Sequence, residues 1–341
     1  GASRHGQEDR SGPQARSAPR RYRPRDRRRR TGARPARPSQ GERRGHGGLT
    51  IARVSRAAPI AIVDPFVDRF RASLAARLRG LVGSGEVDLA RSPGDPGLFD
   101  ADSPALLVHG DFAAMMIGGL SALLLQMLHP AALAGVWDHS DFRRDRLGRL
   151  KRTAQFIGLT TFGGTVAAER AIAHVRTIHD RVHGTLPDGT RYDANDPALL
   201  TWVHVAEVDS FLRAYLRYRD AALAPALQDR YFADAAIVAE RLGARDIPRS
   251  RTEVAEYYRR IRPQLRADHR TREVADALLA AGPDGAQAAG LRLTAAAGID
   301  LLPDWAATLH GRRPAAMVRP AIRAGAGGMN RVLRWALQRE A

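Results

Sequence analysis

Two groups of residues in one stretch of the chain have types and spacings that suit a reactive site. Arg149, Arg152 and Thr153 fall within five positions of one another, and His179 and His183 lie four positions apart. On a helix, residues three or four positions apart share a face, so each group can meet a common ligand. The first group offers cations and a hydroxyl, and the second offers imidazoles, which are common metal ligands.

The periodicity around the two histidines predicts a helix from 166 to 183, after a break at Gly163–Gly164. His179 falls on the apolar stripe of that helix, together with Ala168, Ile172, Val175 and Val182. His183 comes one turn later, beside Gly184, where a helix is expected to stop and approach solvent. We therefore expect His179 to be the buried histidine, better shielded from competing water.

Two further histidines are candidates for the same site. His129 follows the apolar run 105–128 and lies one turn after Gln126. On residue type alone, the favoured interpretation is a helix-terminating histidine bonded to backbone carbonyls. Asp196 and Pro197 are predicted to begin a further helix, as its N-cap and first residue. His204 lies in that helix, over 200–219, on a face that it shares with Val208, Phe211 and Tyr215. A second buried histidine is expected there.

The histidines and arginines fit more than one kind of site. Two histidines at i and i+4 can bind a divalent metal, but the metalloprotease pattern needs Glu directly after the first, and Asp180 stands there. A haem needs only one buried neutral histidine, with an apolar wall and cations for its propionates. Arg149, Arg152 and Arg176 supply such cations. Taken alone, arginines in such a run are more often solvated on a helix surface.

The elements that must position these residues predict an all-α fold. The chain has 341 residues, of which 44% are hydrophobic, enough for a single large helical domain over 57–341 with roughly ten helices. One short hairpin is expected in 185–194, where Pro-Asp-Gly signals a turn. The most apolar run, 105–128, predicts one helix buried on all sides rather than a membrane span. Only 17 residues separate Asp111 from His129, and a span needs about 20.

The basic character of the chain is concentrated at its beginning. Residues 1–56 contain 17 Arg and four acidic residues, a net +13 of the formal +18. This Arg-, Pro- and Gly-rich segment has too few apolar residues to offset the entropy of ordering, which predicts a disordered tail. Tyr22 is its one aromatic residue, so no specific nucleic-acid binding is predicted. A cytoplasmic location is expected, with weak peripheral contact to an anionic membrane as a secondary expectation.

Four motifs stand in order along the chain: LLLQxxHPxxLAGVxxHSxF, GRLxRT, VRxIHxxVHG and DPxLLxWVH. Together they resemble the MpaB and rubber oxygenase (latex-clearing protein) catalytic-domain family of haem b oxygenases, over about residues 100–220 and more weakly to about 310. The resemblance implies an all-helical domain with haem b, whose iron is bound by His179, and dioxygen as co-substrate. Arg149, Arg176, His129 and His204 are the further candidates for the cofactor pocket.

The same resemblance assigns roles near the oxygen-binding side of the haem. Arg149 and Thr153 correspond to an Arg and a Thr of the family, and Arg152 stands where rubber oxygenases have Lys. The catalytic Glu of rubber oxygenases has no match here, since the nearby acids are Asp138, Asp141 and Asp145. The implied reaction is oxidative cleavage of a C=C bond in a hydrophobic, isoprenoid or lipid-like substrate. The missing Glu argues against rubber itself as that substrate.

Two other functions stay open from the residues alone. A non-catalytic, membrane-associated helical protein would hold the apolar run 105–128 and the basic tail against anionic lipid. A non-haem metal protein would use His179 and His183 as ligands. The sequence leaves the oligomeric state open.

Overall fold

A helix of 22 residues, Pro197–Tyr218, lies at the centre of the fold, and 15 of its side chains are buried. It begins where the sequence predicts. The Asp196 carboxylate accepts hydrogen bonds from the backbone N–H groups of Ala198 and Leu199, at 2.8 and 3.0 Å. Pro197 occupies the first turn, where a missing N–H costs nothing.

The computed structural model describes residues 94–280 and 285–337. These contain twelve α-helices: α1 (Pro104–Gly110), α2 (Phe112–Gln126), α3 (Pro130–His139), α4 (Arg146–Phe162), α5 (Thr165–His179), α6 (Pro197–Tyr218), α7 (Pro225–Leu242), α8 (Arg251–Ile261), α9 (His269–Leu279), α10 (Ala286–Leu301), α11 (Asp304–Leu309) and α12 (Arg319–Leu337). Two short strands, β1 (His183–Thr185) and β2 (Arg191–Asp193), form the predicted antiparallel hairpin. The all-α prediction is confirmed. The tail predicted over 1–56 and the domain start predicted at 57 lie outside the described residues.

The second helix, α2, packs along the central helix α6. They approach most closely at Gly118, where a Cβ would lie 3.0 Å from the carbonyl oxygen of Ser210. At the end of α2 the two helices exchange hydrogen bonds. Trp202 Nε1 donates to the carbonyl of Gln126 at 3.0 Å, and Gln126 Nε2 donates to the carbonyl of Val203 at 3.2 Å. The polar end of the apolar run is therefore satisfied by α6.

The apolar run 105–128 forms two helices rather than the single one predicted. Asp111 ends α1 and caps α2, accepting a hydrogen bond from Ala114 N at 2.9 Å, and its carboxylate also pairs with Arg334 at 3.2 Å. The break is stable because this acid finds both a backbone and a charged partner. In the described part of the chain no single helix has the length and hydropathy to cross a membrane; α1 and α2 reach them only as a pair, bent by 88°.

The helices α4 and α5 are joined by Gly163 and Gly164 and pack against each other as a helical hairpin. Thr165 begins α5, and its N–H and its hydroxyl both donate to the Asp95 carboxylate, at 2.9 and 2.7 Å. The buried side chains of α5 are Ala168 and Ile172. The hairpin is thus fixed at its turn and covers one side of the core with half-exposed helices.

Candidate active site

His179 is the last residue of α5, and its imidazole is half-buried. Its Nδ1 atom is buried and has no hydrogen-bond partner among the described residues. Burial lowers the pKa of this imidazole, while Asp180 and Asp193 act in the opposite direction. A lowered pKa favours the neutral ring, which is the form that binds a metal. An unpartnered buried nitrogen is rare in folded proteins and calls for a partner, such as a water molecule or a ligand.

His183 does not share a helix face with His179, because α5 ends at His179 and not at 183. The chain turns there, with the N–H of Val182 bonded to the carbonyl of His179 at 2.8 Å, and His183 begins β1. Its side chain is exposed, as predicted. The helical i, i+4 spacing behind the alternative metal site is therefore wrong. Among residues 94–280 and 285–337, no group of three or more His, Asp or Glu side chains is arranged to hold a metal ion.

Arg149 lies in the first turns of α4 and is half-buried. Its Nη1 donates to the Ser140 hydroxyl at 2.8 Å. Burial lowers the pKa of this guanidinium, and the neighbouring Arg152 lowers it further. A partly buried cation bonded to a neutral hydroxyl would gain stability from an anionic ligand, such as a carboxylate.

The other predicted polar groups on this hairpin face outward. Arg152 is exposed and pairs with Asp145 at 3.2 Å. The Thr153 hydroxyl is exposed and donates to the carbonyl of Arg149 at 3.2 Å. Arg176 is exposed as well. The structure therefore brings Arg149 into the protein and leaves Arg152, Thr153 and Arg176 at its surface.

Contacts through the end of α3 link the region of Arg149 to that of His179. Arg149 bonds Ser140, and the preceding residue, His139, places its Nε2 3.1 Å from the carbonyl oxygen of His183. Each of the two residues is separated from the Gly163–Gly164 turn by a similar length of helix, roughly 20 Å at 1.5 Å per residue. We call the region that contains His179 and Arg149 the outer site.

Side chains that sequence reasoning missed hold the outer site together. The Tyr192 hydroxyl on β2 donates to Asp138 at 2.7 Å and lies 3.2 Å from His139 Nε2, both at the end of α3. Burial first, and Asp138 second, raise the pKa of Tyr192 to about 12. Gly184 is required opposite this ring, since a Cβ there would lie 2.8 Å from the Tyr192 hydroxyl. We call the contacts of Tyr192 with Asp138 and His139 the clamp of the outer site. The His139–Ser140 pair of the first motif was the sequence signal for it.

His129 has a structural role at a helix end, as the sequence favoured, but its ring accepts a hydrogen bond at the start of a helix. Its Nδ1 accepts a hydrogen bond from the N–H of Ala131 at 3.3 Å and so caps the start of α3, instead of donating to carbonyls at the end of α2. It also lines an open cleft of about 790 Å³ beside the β-hairpin, which Asp193 and Arg260 border. His179 is not among the lining residues of that cleft.

His204 is buried on α6, as predicted, with 9% of its surface exposed. Its Nε2 atom has no hydrogen-bond partner among the described residues, and burial lowers its pKa to about 4. It belongs to an interior polar cluster that the sequence did not reveal. The cluster consists of His109 on α1, Thr161 on α4, His204 and Glu207 on α6, and Tyr231 on α7.

The imidazole of His109 connects this interior polar cluster. Its Nδ1 lies 2.9 Å from the Thr161 hydroxyl and its Nε2 lies 2.9 Å from the Tyr231 hydroxyl. Burial, and then the proximity of His204, lower the pKa of His109 to about 3. Burial raises the pKa of Glu207 to about 7. A histidine inside an apolar run and a Glu one turn after His204 were the available signals, and neither is specific alone.

The residues of the outer site fit a haem as cofactor. A haem needs one neutral imidazole for its iron, and His179 offers a half-buried ring whose pKa is lowered by burial and whose Nδ1 is unpartnered. Its propionates need a cation, and Arg149 is half-buried with the Ser140 hydroxyl as its hydrogen-bond partner. A site with three or more protein ligands, as zinc requires, does not occur in the described residues.

Comparison with known proteins bears on this geometry. Residues 106–335 match the family model described as ER-bound oxygenase mpaB/B'/Rubber oxygenase, catalytic domain. No curated protein and no solved structure matches the chain. The matched segment runs from α1 into α12 and contains both the outer site and the interior polar cluster. Because it spans well over half of the chain, the protein belongs to the mpaB and rubber oxygenase catalytic-domain family of oxygenases.

Proposed function

We propose that this oxygenase uses haem b, held by His179, to cleave a C=C bond of a hydrophobic, isoprenoid or lipid-like substrate with dioxygen. The observation that carries the proposal is the buried, unpartnered Nδ1 of a half-exposed imidazole at the histidine of the VRxIH motif. In a folded protein such an atom calls for a partner. When bound, haem supplies the iron at which dioxygen is activated.

The chain's own residues would contribute binding, charge and rigidity. His179 would hold the cofactor as a neutral ligand, a state that its burial favours. Arg149 would pair with a propionate or stabilise negative charge that develops on oxygen, since no acidic side chain among the described residues pairs with its guanidinium. The Tyr192–Asp138 bond would keep the β-hairpin, and with it the end of α5, fixed against α3.

The proposal is tested by reconstituting the purified chain with haem and recording its absorption spectrum. We expect a Soret band that His179→Ala abolishes or shifts. His183→Ala is the matched control, because His183 lies four residues away in an exposed strand, and it should leave the band unchanged. Identical haem binding by wild type and His179→Ala would overturn the ligand assignment. Bound iron or zinc by elemental analysis without a porphyrin spectrum would instead support a non-haem metal.

Contact with a membrane is a separate proposal, based on the 17 Arg of residues 1–56. Anionic lipid attracts such a segment at low salt. Flotation with liposomes that contain an anionic lipid should show binding that salt weakens and that deletion of residues 1–56 removes. Binding that survives the deletion would contradict a role for this segment.

A further inference from the structure

One ring nitrogen of the interior polar cluster has hydrogen-bonding capacity to spare. His204 is 9% exposed, and its Nε2 has no partner in the described part of the protein. Glu207 lies one turn further along α6, and Phe211 one turn beyond it packs edge-on against the His109 ring at 5.4 Å. His109 in turn lies 2.9 Å from the Tyr231 hydroxyl. Four helices thus bring polar side chains to one place inside the bundle.

Two of these groups are not sealed off from solvent. His109 and Glu207 retain some accessible surface, although burial is the largest cause of their pKa shifts. Side chains that line an enclosed cleft have this combination, because protein surrounds them on most sides while one side stays open. A buried carboxyl group without a cation would otherwise be a costly feature to keep.

Half-buried apolar side chains lie one helical turn from members of the cluster on three of its helices. Leu106, Ile157 and Val203 pack against the core but stay half-buried. Each lies one helical turn from a member of the cluster, namely His109, Thr161 and Glu207 respectively, so that each pair shares a helix face. We call these three residues the apolar wall. The combination of an apolar wall with a polar end is suited to an amphipathic ligand.

The charge state of the cluster selects the kind of polar group. Burial holds the pKa of His109 at about 3 and that of His204 at about 4, so both rings are neutral near pH 7. Tyr231 is neutral as well, since burial and Glu207 raise its pKa. The acidic side chains that act on Tyr231 are Glu207 and Asp209, and Asp209, outside the cluster, is paired with Arg213 at 3.0 Å. A carboxylate or phosphate would meet no compensating cation in this arrangement.

We propose that the interior polar cluster binds the hydroxyl or carbonyl group of a neutral, otherwise apolar ligand whose hydrocarbon part packs against the apolar wall. That this ligand is the substrate rests on the proposed function; its binding does not. Two members of the cluster, His204 and Glu207, lie roughly 10 and 15 Å along α6 from its start beside the β-hairpin. A pure hydrocarbon would leave the polar groups of the cluster unsatisfied.

The test compares three probes of one carbon skeleton: farnesol, farnesene and farnesoate. Isothermal titration calorimetry on the full chain should give a farnesol affinity about tenfold or more above those of the other two, because only the alcohol satisfies the site without adding charge. Farnesene binding as tightly as farnesol would overturn the proposal. Farnesoate binding more tightly than farnesol would overturn the requirement for a neutral group.

Two variants locate the selectivity in the cluster. Glu207→Leu should bring the ratio of farnesol to farnesene affinity close to one, and Tyr231→Phe, which removes a single hydroxyl, should lower it several-fold. Glu256→Leu on α8, whose side chain is 46% exposed, is the control and should keep the wild-type ratio. Circular dichroism checks that each variant folds. An unchanged ratio in both cluster variants would contradict the proposal.

The two proposals fail independently. Selective farnesol binding by a chain that never acquires a Soret band would remove the haem function and keep the ligand site. A Soret band that depends on His179, in a chain that binds farnesol and farnesene equally, would do the reverse.

Discussion

The outer site and the interior polar cluster use the same residue types under opposite conditions. At the outer site, His179 and Arg149 are half-buried, close to solvent and next to charged groups such as Asp180 and Asp193. In the cluster, His109 and His204 are held neutral by burial. The first environment suits a charged cofactor, and the second suits a neutral group. Under the two proposals, one helical bundle has a region for reactivity, at the outer site, and a region for ligand selection, at the interior polar cluster.

The two regions also differ in how they are held. The outer site depends on a few contacts between neighbouring segments, chiefly Tyr192 with Asp138 and Arg149 with Ser140. The cluster depends on the packing of four helices, with Tyr231 fully buried. Substitutions at the outer site should change reactivity more than stability, whereas substitutions in the cluster should change how stability depends on pH.

The largest effect is expected from Arg149→Ala. Loss of a positioned cation at developing negative charge costs about a hundredfold to a thousandfold in turnover. Oxygen consumption with an isoprenoid substrate, normalised to haem content, measures it. Arg176→Ala removes an exposed arginine of the neighbouring helix and serves as the matched control. Equal loss in both variants would show that Arg149 has no special role.

The next effect concerns Glu207→Gln, which removes the titration of a buried carboxyl. Burial raises the pKa of Glu207 from 4.5 to about 7, so the folded protein binds this proton more tightly than the unfolded chain. Stability from this group is present below about pH 4.5 and is lost as the pH rises to about 7. The free energy of unfolding of the variant, relative to that of wild type, should therefore rise by roughly 2–3 kcal/mol between about pH 4 and about pH 8. Chemical denaturation of both proteins at the two pH values measures this difference.

Glu256→Gln, the same change on a 46% exposed side chain, is the control for that experiment. If the difference in unfolding free energy from wild type changes equally with pH in both glutamine variants, the environment assigned to Glu207 is wrong.

A smaller effect of opposite sign is expected from His204→Leu. Burial lowers the pKa of His204 from 6.5 to about 4, so stability from this group is present above about pH 6.5 and is lost as the pH falls towards 4. The free energy of unfolding of wild type should fall by roughly 2 kcal/mol relative to that of the variant between about pH 7 and about pH 5. Denaturant unfolding at both pH values measures this difference. A difference that does not change with pH would contradict a neutral, buried ring.

The smallest effect is expected at the clamp of the outer site. Tyr192→Phe removes the bond to Asp138 and should cost about 1 kcal/mol of unfolding free energy. Gly184→Ala places a methyl 2.8 Å from the same hydroxyl and should cost more. In a Tyr192→Ala background the cost of Gly184→Ala should fall, because the whole ring that the added methyl meets is gone. Additive costs in a double-mutant cycle would show that the two residues do not meet.

The sequence predicted those parts of the protein that local patterns determine. The helical class, the start of α6 at Asp196 and Pro197, the turn of the β-hairpin and the burial of His204 all follow from periodicity, capping and turn residues close in sequence. The family also followed from ordered motifs. The predictions were wrong where a contact distant in sequence determines the structure. Asp111 ends a helix because its carboxylate pairs with Arg334 and accepts a hydrogen bond from the N–H group of Ala114.

The interior polar cluster was out of reach of such patterns for a physical reason. Its members come from four helices, and His109 and Tyr231 are 122 positions apart along the chain although they share a hydrogen bond. Each member taken singly resembles an ordinary polar interruption of an apolar helix. The end of α5 was misjudged for a related reason: the apolar stripe continues to Val182, but the chain already turns at His179 to enter β1.

The claim on which the functional account depends is that the His179 imidazole binds haem iron, and chemical rescue tests it most directly. His179→Gly reconstituted with haem should lack the wild-type Soret band, and added imidazole should restore it by occupying the vacated position. A wild-type Soret band in His179→Gly without imidazole would contradict the account.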